Sequence, residues 1–495
     1  MNSVPNSAAI AALIAAVCIG PAEGGQSWIE IHSAHYTLQT DLSADDARET
    51  ALYLERTRAA LLAAAWPHAR PPEDSITAYV LRDDVEFGHL FGQRFAGLFV
   101  RSTLTPFVLF YGKPSNAGWF ARQMAATLKH ELTHHLSAYF LLRQPRWLAE
   151  GIASYLETIE ISDDGSRAVV GYSNPRRAGP VARAQDIFAW TGRDPEDIDP
   201  ARLYAGSWLL VHWMMNRKIE QFTEFQRRLD KGEEATSAWK MAFGMTPDRL
   251  NEELILYAQH GSYQTLTVRV PAVESPTSQR RLSDAEAHAL RARLVLWTLG
   301  QFRDESLERR QLARREVDEA LRQDPGNVVA LICTSELQPA SSESLARRAV
   351  AAHPESAEAW LMLAEALRSA VKSSADQDRA LEQENALKKA TSLGAQNAVA
   401  ANSLAWLYVG QRRFLAALPL AKRAVHLAPW SSPIWDTYAA VVFGLKNCDE
   451  SIAAESRALQ LLPDGTSRSA AQRYAERLEK YQSSCKASAA QEKAN

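Results

Sequence analysis

The chain has 495 residues, a formal net charge of −3, 46% hydrophobic and 23% charged content. That length exceeds what one hydrophobic core serves, so more than one domain is expected. Charges of both signs are interspersed, which gives no support for nucleic-acid binding or a basic membrane-docking surface.

Residues 8–20, AAIAALIAAVCIG, form a 13-residue apolar run. It is shorter than the ~20 residues a bilayer span needs and suits the core of a secretory signal. Pro21-Ala22-Glu23-Gly24 follows, with small residues at the spacing a signal peptidase reads. Residues 1–24 are therefore expected to be a signal peptide, and the mature chain to be periplasmic or secreted with no stable membrane span. The opening MNSVPNS lacks Lys and Arg, and Cys18 lacks the flanks of a lipoprotein signal.

Alternation over 28–32 and 35–40 predicts a strand pair. Ser43 is placed to cap a long helix rich in Ala and Leu, with Asp45 and Asp46 in its first turn. Further strands are predicted at Ile76–Leu81, 95–101 and 106–111. Gly97-Leu98-Phe99-Val100 reads either as an edge strand able to pair with an extended ligand or as an ordinary sheet strand.

Residues 130–134 read HELTH. On a helix, His130 and His134 project from one face and can share a metal. Glu131 is rotated about 100° from them, beside the metal rather than on it, and His135 points away by a similar step. Sixteen positions after His134 comes Glu150, within WLAEG. Pro145 can open a second helix, with Leu148, Ile152 and Tyr155 as its buried stripe. Glu150, Ala153, Ser154 and Glu157 share another face, whose small residues allow close approach to the histidine helix. Two imidazoles and the Glu150 carboxylate make a zinc site with its fourth position open to water. The competing reading is a pair of surface histidines and a solvated glutamate. From 178 to 260 the pattern is helical.

Pro271, Ser275, Pro276 and Ser278 mark 262–282 as a linker, so the preceding domain, 25–261, is expected to fold without 283–495. Beyond it, Pro429 and Pro463 are 34 residues apart. Aligned on them, Leu404, Ala405, Tyr408, Ala417 and Ala424 of one unit are followed by Trp435, Ala439 and Ala458 of the next. An earlier unit begins at Trp360, with a polar insertion around Lys372 to Gln383. Residues 283–480 thus resemble tetratricopeptide repeats, which stack into a concave binding surface. The plainer alternative is a generic helical bundle. A polar tail, 481–495, is expected to follow. With Cys18 removed, Cys448 and Cys485 are the pair that could close a disulfide, leaving Cys333.

The stretch 127–157, TLKHELTHHLSAYFLLRQPRWLAEGIASYLE, resembles the gluzincins, the thermolysin-like zinc metallopeptidases. The resemblance implies an α+β zincin-like metallopeptidase domain followed by an all-α tetratricopeptide-like solenoid. It implies Zn2+ held by His130, His134 and Glu150, with Glu131 as general base. It also implies an oxyanion donor from downstream, for which Tyr204 and His212 are the candidates; Tyr204, Trp208 and His212 share a helix face, His212 reads first as a core residue, and Tyr204 and Trp208 also read as core aromatics with a polar tip. Two departures stand out. The span from second histidine to glutamate is shorter than in thermolysin, and Ser154 occupies a position that often holds an acid orienting a ligand histidine, a role Glu157 could take. The implied activity is hydrolysis of a peptide or protein substrate, with the repeats binding a protein partner or substrate. The alternatives are an inactive peptidase-like adaptor and a hydrolase of other carbonyl compounds.

Overall fold

The computed structural model describes residues 27–494 apart from 70–75, 92–96, 101–105, 115–117, 142–143, 191–194, 262, 275, 300–306, 371–376, 395 and 463–465. The expected signal peptide lies outside the described residues. Strands β1 (Ile29–His32) and β2 (Tyr36–Thr40) pair antiparallel with Ile31 opposite Leu38. Ser43 caps α1 (Ala44–Ala65), its side chain accepting the Asp46 N–H and satisfying one donor of the open first turn. β3 (Ile76–Leu81), α2 (Asp84–Phe91), β4 (Gly97–Val100) and β5 (Phe107–Tyr111) follow. Next come α3 (Gly118–Phe140), α4 (Arg146–Leu156) and the short strands β6 (Glu160–Ile161) and β7 (Arg167–Val170). Helices α5 (Ala184–Ala189), α6 (Pro200–Arg217), α7 (Ile219–Asp230), α8 (Ala235–Phe243) and α9 (Pro247–His260) lead to β8 (Leu266–Arg269) and β9 (Ser278–Arg281).

The main sheet has the order β4-β5-β3-β2-β1-β9, with β4 at one edge and antiparallel to β5. β2, β3 and β5 are parallel neighbours, and β3 and β5 read as nearly continuous apolar runs because both faces of the sheet are covered. On one face, Leu38, Val80, Val108 and Phe110 join a core with Leu54 and Leu61 of α1 and with Leu128, Leu132 and Leu136 of α3. On the other face, Tyr79, Leu81, Phe107 and Leu109 pack with Phe87 of α2.

That second face corrects the expected domain boundary. Its cover also includes Leu290, Leu294 and Val295 of α10 (Asp284–Leu299), which belong to the region assigned to the repeats. The expected linker at 262–282 is also corrected. β8 pairs with β7, and β9 pairs with β1, Ile29 facing Arg281. Side chains of both strands are mostly exposed, so the composition is that of a connector while the backbone groups are engaged in the sheets. A fragment ending at 261 would lack the edge strand β9 and the α10 side chains that pack on one face.

Beyond α10 the chain is helical: α11 (Leu307–Gln323), α12 (Val328–Leu337), α13 (Ser342–Ala352), α14 (Ala357–Ala370) and α15 (Gln377–Leu393). Then come α16 (Ala398–Gly410), α17 (Phe414–Leu427), α18 (Ser432–Gly444), α19 (Cys448–Gln460) and α20 (Arg468–Ala494). Ala398 and Ser432 open α16 and α18, and Phe414 and Cys448 open α17 and α19, so both pairs repeat every 34 positions. Buried Ala405, Ala417, Ala421 and Ala439 let successive helices pack closely. The chain as a whole is mostly helical, with an α+β N-terminal region.

The expected polar tail is corrected as well. Helix α20 continues through it, held by Tyr481 stacked on Phe443 at 4.3 Å and by a disulfide from Cys485 to Cys448. Among the described residues, no helix is long and apolar enough to cross a membrane.

Candidate metal centre

Helix α3 points Leu128, Leu132 and Leu136 into the core, all with no exposure, and this stripe fixes the helix rotation. His130 and His134 then share the adjoining face, their rings 4.7 Å apart and nearly perpendicular. Pro145 precedes the first residue of α4 with extended backbone. Gly151 lets α4 seat against α6, since a Cβ there would come 2.6 Å from the Ser207 carbonyl oxygen. Glu150 is thereby carried to the histidines. Its Oε2 lies 3.1 Å from His130 Nε2 and 3.5 Å from His134 Nε2.

Those separations test whether a metal fits. Tetrahedral zinc with bonds of about 2.0–2.2 Å keeps its ligand atoms about 3.3–3.5 Å apart. The three side chains offer ligand atoms that all lie within 4.8 Å of one another, and among the described residues they are the one such group of His, Cys, Asp or Glu. Imidazole and carboxylate donors in this number suit zinc.

Behind His130 lies Glu157, whose Oε2 is 2.8 Å from His130 Nδ1. Nδ1 donates to Glu157, which turns Nε2 toward Glu150 and the open side of the site. Glu157 is itself held in place: Asn174 Nδ2 donates to its Oε1 at 2.7 Å, and Arg176 and Arg177 lie 3.6 and 3.5 Å from its Oε2. Ser154 accepts a 3.1 Å hydrogen bond from Arg177 Nε. The orienting carboxylate thus comes from three positions further along the chain than Ser154.

Electrostatics follow from this burial. Burial opposes a charge on His130, yet the hydrogen bonds to Glu150 and Glu157 outweigh it and hold the imidazole up at about 10. Burial likewise works against Glu150 ionisation, and His134 and His130 overcome it, holding its carboxyl well below the usual range.

Glu131 points to the sheet. Its Oε2 accepts the Phe99 backbone N–H at 3.0 Å, joining it to edge strand β4. Gly97 permits that approach, because a Cβ there would sit 2.7 Å from Thr127 Cγ2 of α3. His135 lies buried between Phe99 and Tyr139, and burial pushes its imidazole down to about 3. The neutral ring acts in packing.

Of the two downstream candidates, His212 is a core residue. It is fully buried, with Nδ1 2.8 Å from the Tyr257 hydroxyl and Nε2 3.0 Å from the Gly171 carbonyl oxygen. Tyr204 is half-buried, its ring 5.1 Å from Trp190 and 4.8 Å beneath the Arg177 guanidinium. Arg177 links Tyr204 to the Glu157 carboxylate. Asn174, Arg177 and the Phe99 amide escaped the sequence reading, because they reach the site across loops and the sheet with no fixed spacing from HELTH.

Residues 124–234 match a family model described as a protein of unknown function (DUF1570), a span that contains His130, Glu131, His134, Glu150 and Glu157. No curated protein matches the chain. Among solved structures, the chain is similar to a thermophilic TPR protein from Thermus thermophilus, at 20% identity over 40% of this chain and 98% of that one, with a TM-score of 0.30. It is similar to Pseudomonas aeruginosa pilF at 16% identity over 42% and 88% of the two chains, with a TM-score of 0.31. Yeast Tom70 is similar at 13% identity over 75% and 76%, also at 0.31.

Proposed function

We propose that the chain is an exported zinc metallopeptidase whose helical array receives a protein partner or substrate. The observation that carries this reading is the convergence of His130, His134 and Glu150, with Glu131 next to His130 in the chain and its carboxylate tied to the edge strand. Bound zinc would supply Lewis acidity toward a carbonyl oxygen and acidify a coordinated water. Glu131 takes the proton of the attacking water on its carboxylate and returns it to the departing amine nitrogen. Glu157 keeps His130 in the tautomer that leaves Nε2 free to ligate. The Tyr204 hydroxyl is the proposed donor to the developing oxyanion, with Arg177 and Trp190 setting its ring.

Two features support the remaining parts. The Cys448–Cys485 disulfide suits an oxidising compartment, as export to the periplasm or beyond requires. A cavity of about 960 Å³ in the array, lined by Arg293, Trp297, Cys333, Glu336, Glu358 and Met362 among others, offers a place for a peptide segment. The test of the activity is cleavage of unstructured protein by the zinc-loaded chain beside Glu131→Gln. A loss of at least ~100-fold in turnover with zinc retained supports the reading, since general-base catalysis contributes on that order. Equal turnover in the two removes Glu131 from the chemistry, and no cleavage by either favours the adaptor reading.

A further inference from the structure

We infer that Trp430, in the helical array, is a positioning residue for Glu131, acting through Tyr139, His135 and Phe99. The inference rests on the peptidase reading for its effect on turnover, and on geometry alone for its effect on the edge strand. Trp430 occupies the turn between α17 and α18, 8% exposed, in a niche of Ala398, Ala401, Ala424, Ala428 and Ile434. Its ring meets Tyr139, at the C-terminal end of α3, 4.8 Å away and edge-on. Tyr139 meets His135 at 5.4 Å, and His135 meets Phe99 at 5.4 Å, again edge to face. The Phe99 N–H donates to Glu131. Four rings in series therefore run from the array to the group that fixes the base.

Edge-to-face contacts favour one mutual orientation, and close-packed rings pass a displacement on rather than absorb it. The receiving strand is the one able to respond, because β4 is hydrogen-bonded to β5 and, among the described residues, to no strand on its other side. The array is also anchored to the N-terminal region at both ends. Trp297 of α10 stacks on Phe107 at 5.0 Å, and Arg457 of α19 donates to the Asp230 carbonyl oxygen at 2.7 Å. The array and β4 are therefore joined through Trp430, and that contact holds the placement of Glu131.

The experiment is amide hydrogen exchange at Phe99 in the full chain, with turnover of labelled casein measured on the same samples. Trp430→Ala, Trp430→Phe and Tyr139→Leu are compared with wild type, so the contact is broken from either side. Trp430→Ala and Tyr139→Leu are expected to speed Phe99 exchange about tenfold or more, the worth of a hydrogen bond to a charged acceptor. The casein kcat is expected to fall by a similar factor with KM little changed, and Trp430→Phe to restore most of both. Unchanged Phe99 exchange in folded Trp430→Ala and Tyr139→Leu overturns the inference. Should wild type fail to cleave casein, the exchange result still decides the coupling, and the peptidase reading alone is weakened.

Discussion

Nδ1 of His130 and Oε2 of Glu157 lie 2.8 Å apart in a pocket where Glu157 is only 2% exposed. This contact fixes the ring orientation that turns Nε2 toward Glu150. Glu157→Gln keeps the shape and loses the charge, and it is expected to weaken zinc binding about 10–100-fold, the usual effect of removing such a partner. Titration against a chromophoric chelator checks this; wild-type affinity in the variant would show that Asn174, Arg177 and the helix packing orient His130 without the carboxylate.

The shared core predicts the behaviour of truncations. A fragment of 25–282 uncovers Tyr79, Leu81, Phe87 and Phe107, which Leu290, Leu294 and Val295 otherwise cover. It is expected to aggregate or melt well below a fragment of 25–323, which keeps α10 and α11. Thermal melts of the two, followed by circular dichroism, make the comparison. Equal stability would mean that α10 contributes nothing to the sheet's second face.

Glu455 in α19 has no exposure, and neither carboxylate oxygen meets a donor among the described residues. Burial first, and then the neighbouring Asp436 carboxylate, push it up to about 8 against the opposing pull of Arg477. Unfolded glutamate titrates near ~4.3. The folded value is the higher one, so the stabilisation is complete below ~4.3 and is lost as pH rises through about 8. Glu455→Gln is expected to raise stability at pH ~9 by about 1–3 kcal/mol and to have its least benefit near pH ~4. Melting temperatures at several pH values read this out, and parallel profiles for variant and wild type would contradict it.

What was legible in the sequence depended on local period. The four-residue step from His130 to His134 and the seven-residue step from Glu150 to Glu157 are helix geometry, so one face could be read without coordinates. The 34-residue spacing made α16 to α19 legible for the same reason. Non-local contacts carried no such mark. β9, with the sequence SQRR, resembles a connector because its pairing with β1 is through the backbone. Phe99 reaches Glu131 by its amide, so no side-chain identity announces it. Tyr481 and Cys485 were hidden in a polar composition, although both are buried against the preceding repeat.

Zinc content of the purified mature chain, wild type beside His134→Ala, tests the central claim most directly. The arrangement of His130, His134 and Glu150 predicts about one zinc per chain in wild type, as three protein ligands and an open position hold one ion. It predicts loss of that zinc in the variant, with the fold retained. Zinc absent from wild type, or kept undiminished by His134→Ala, would contradict the account.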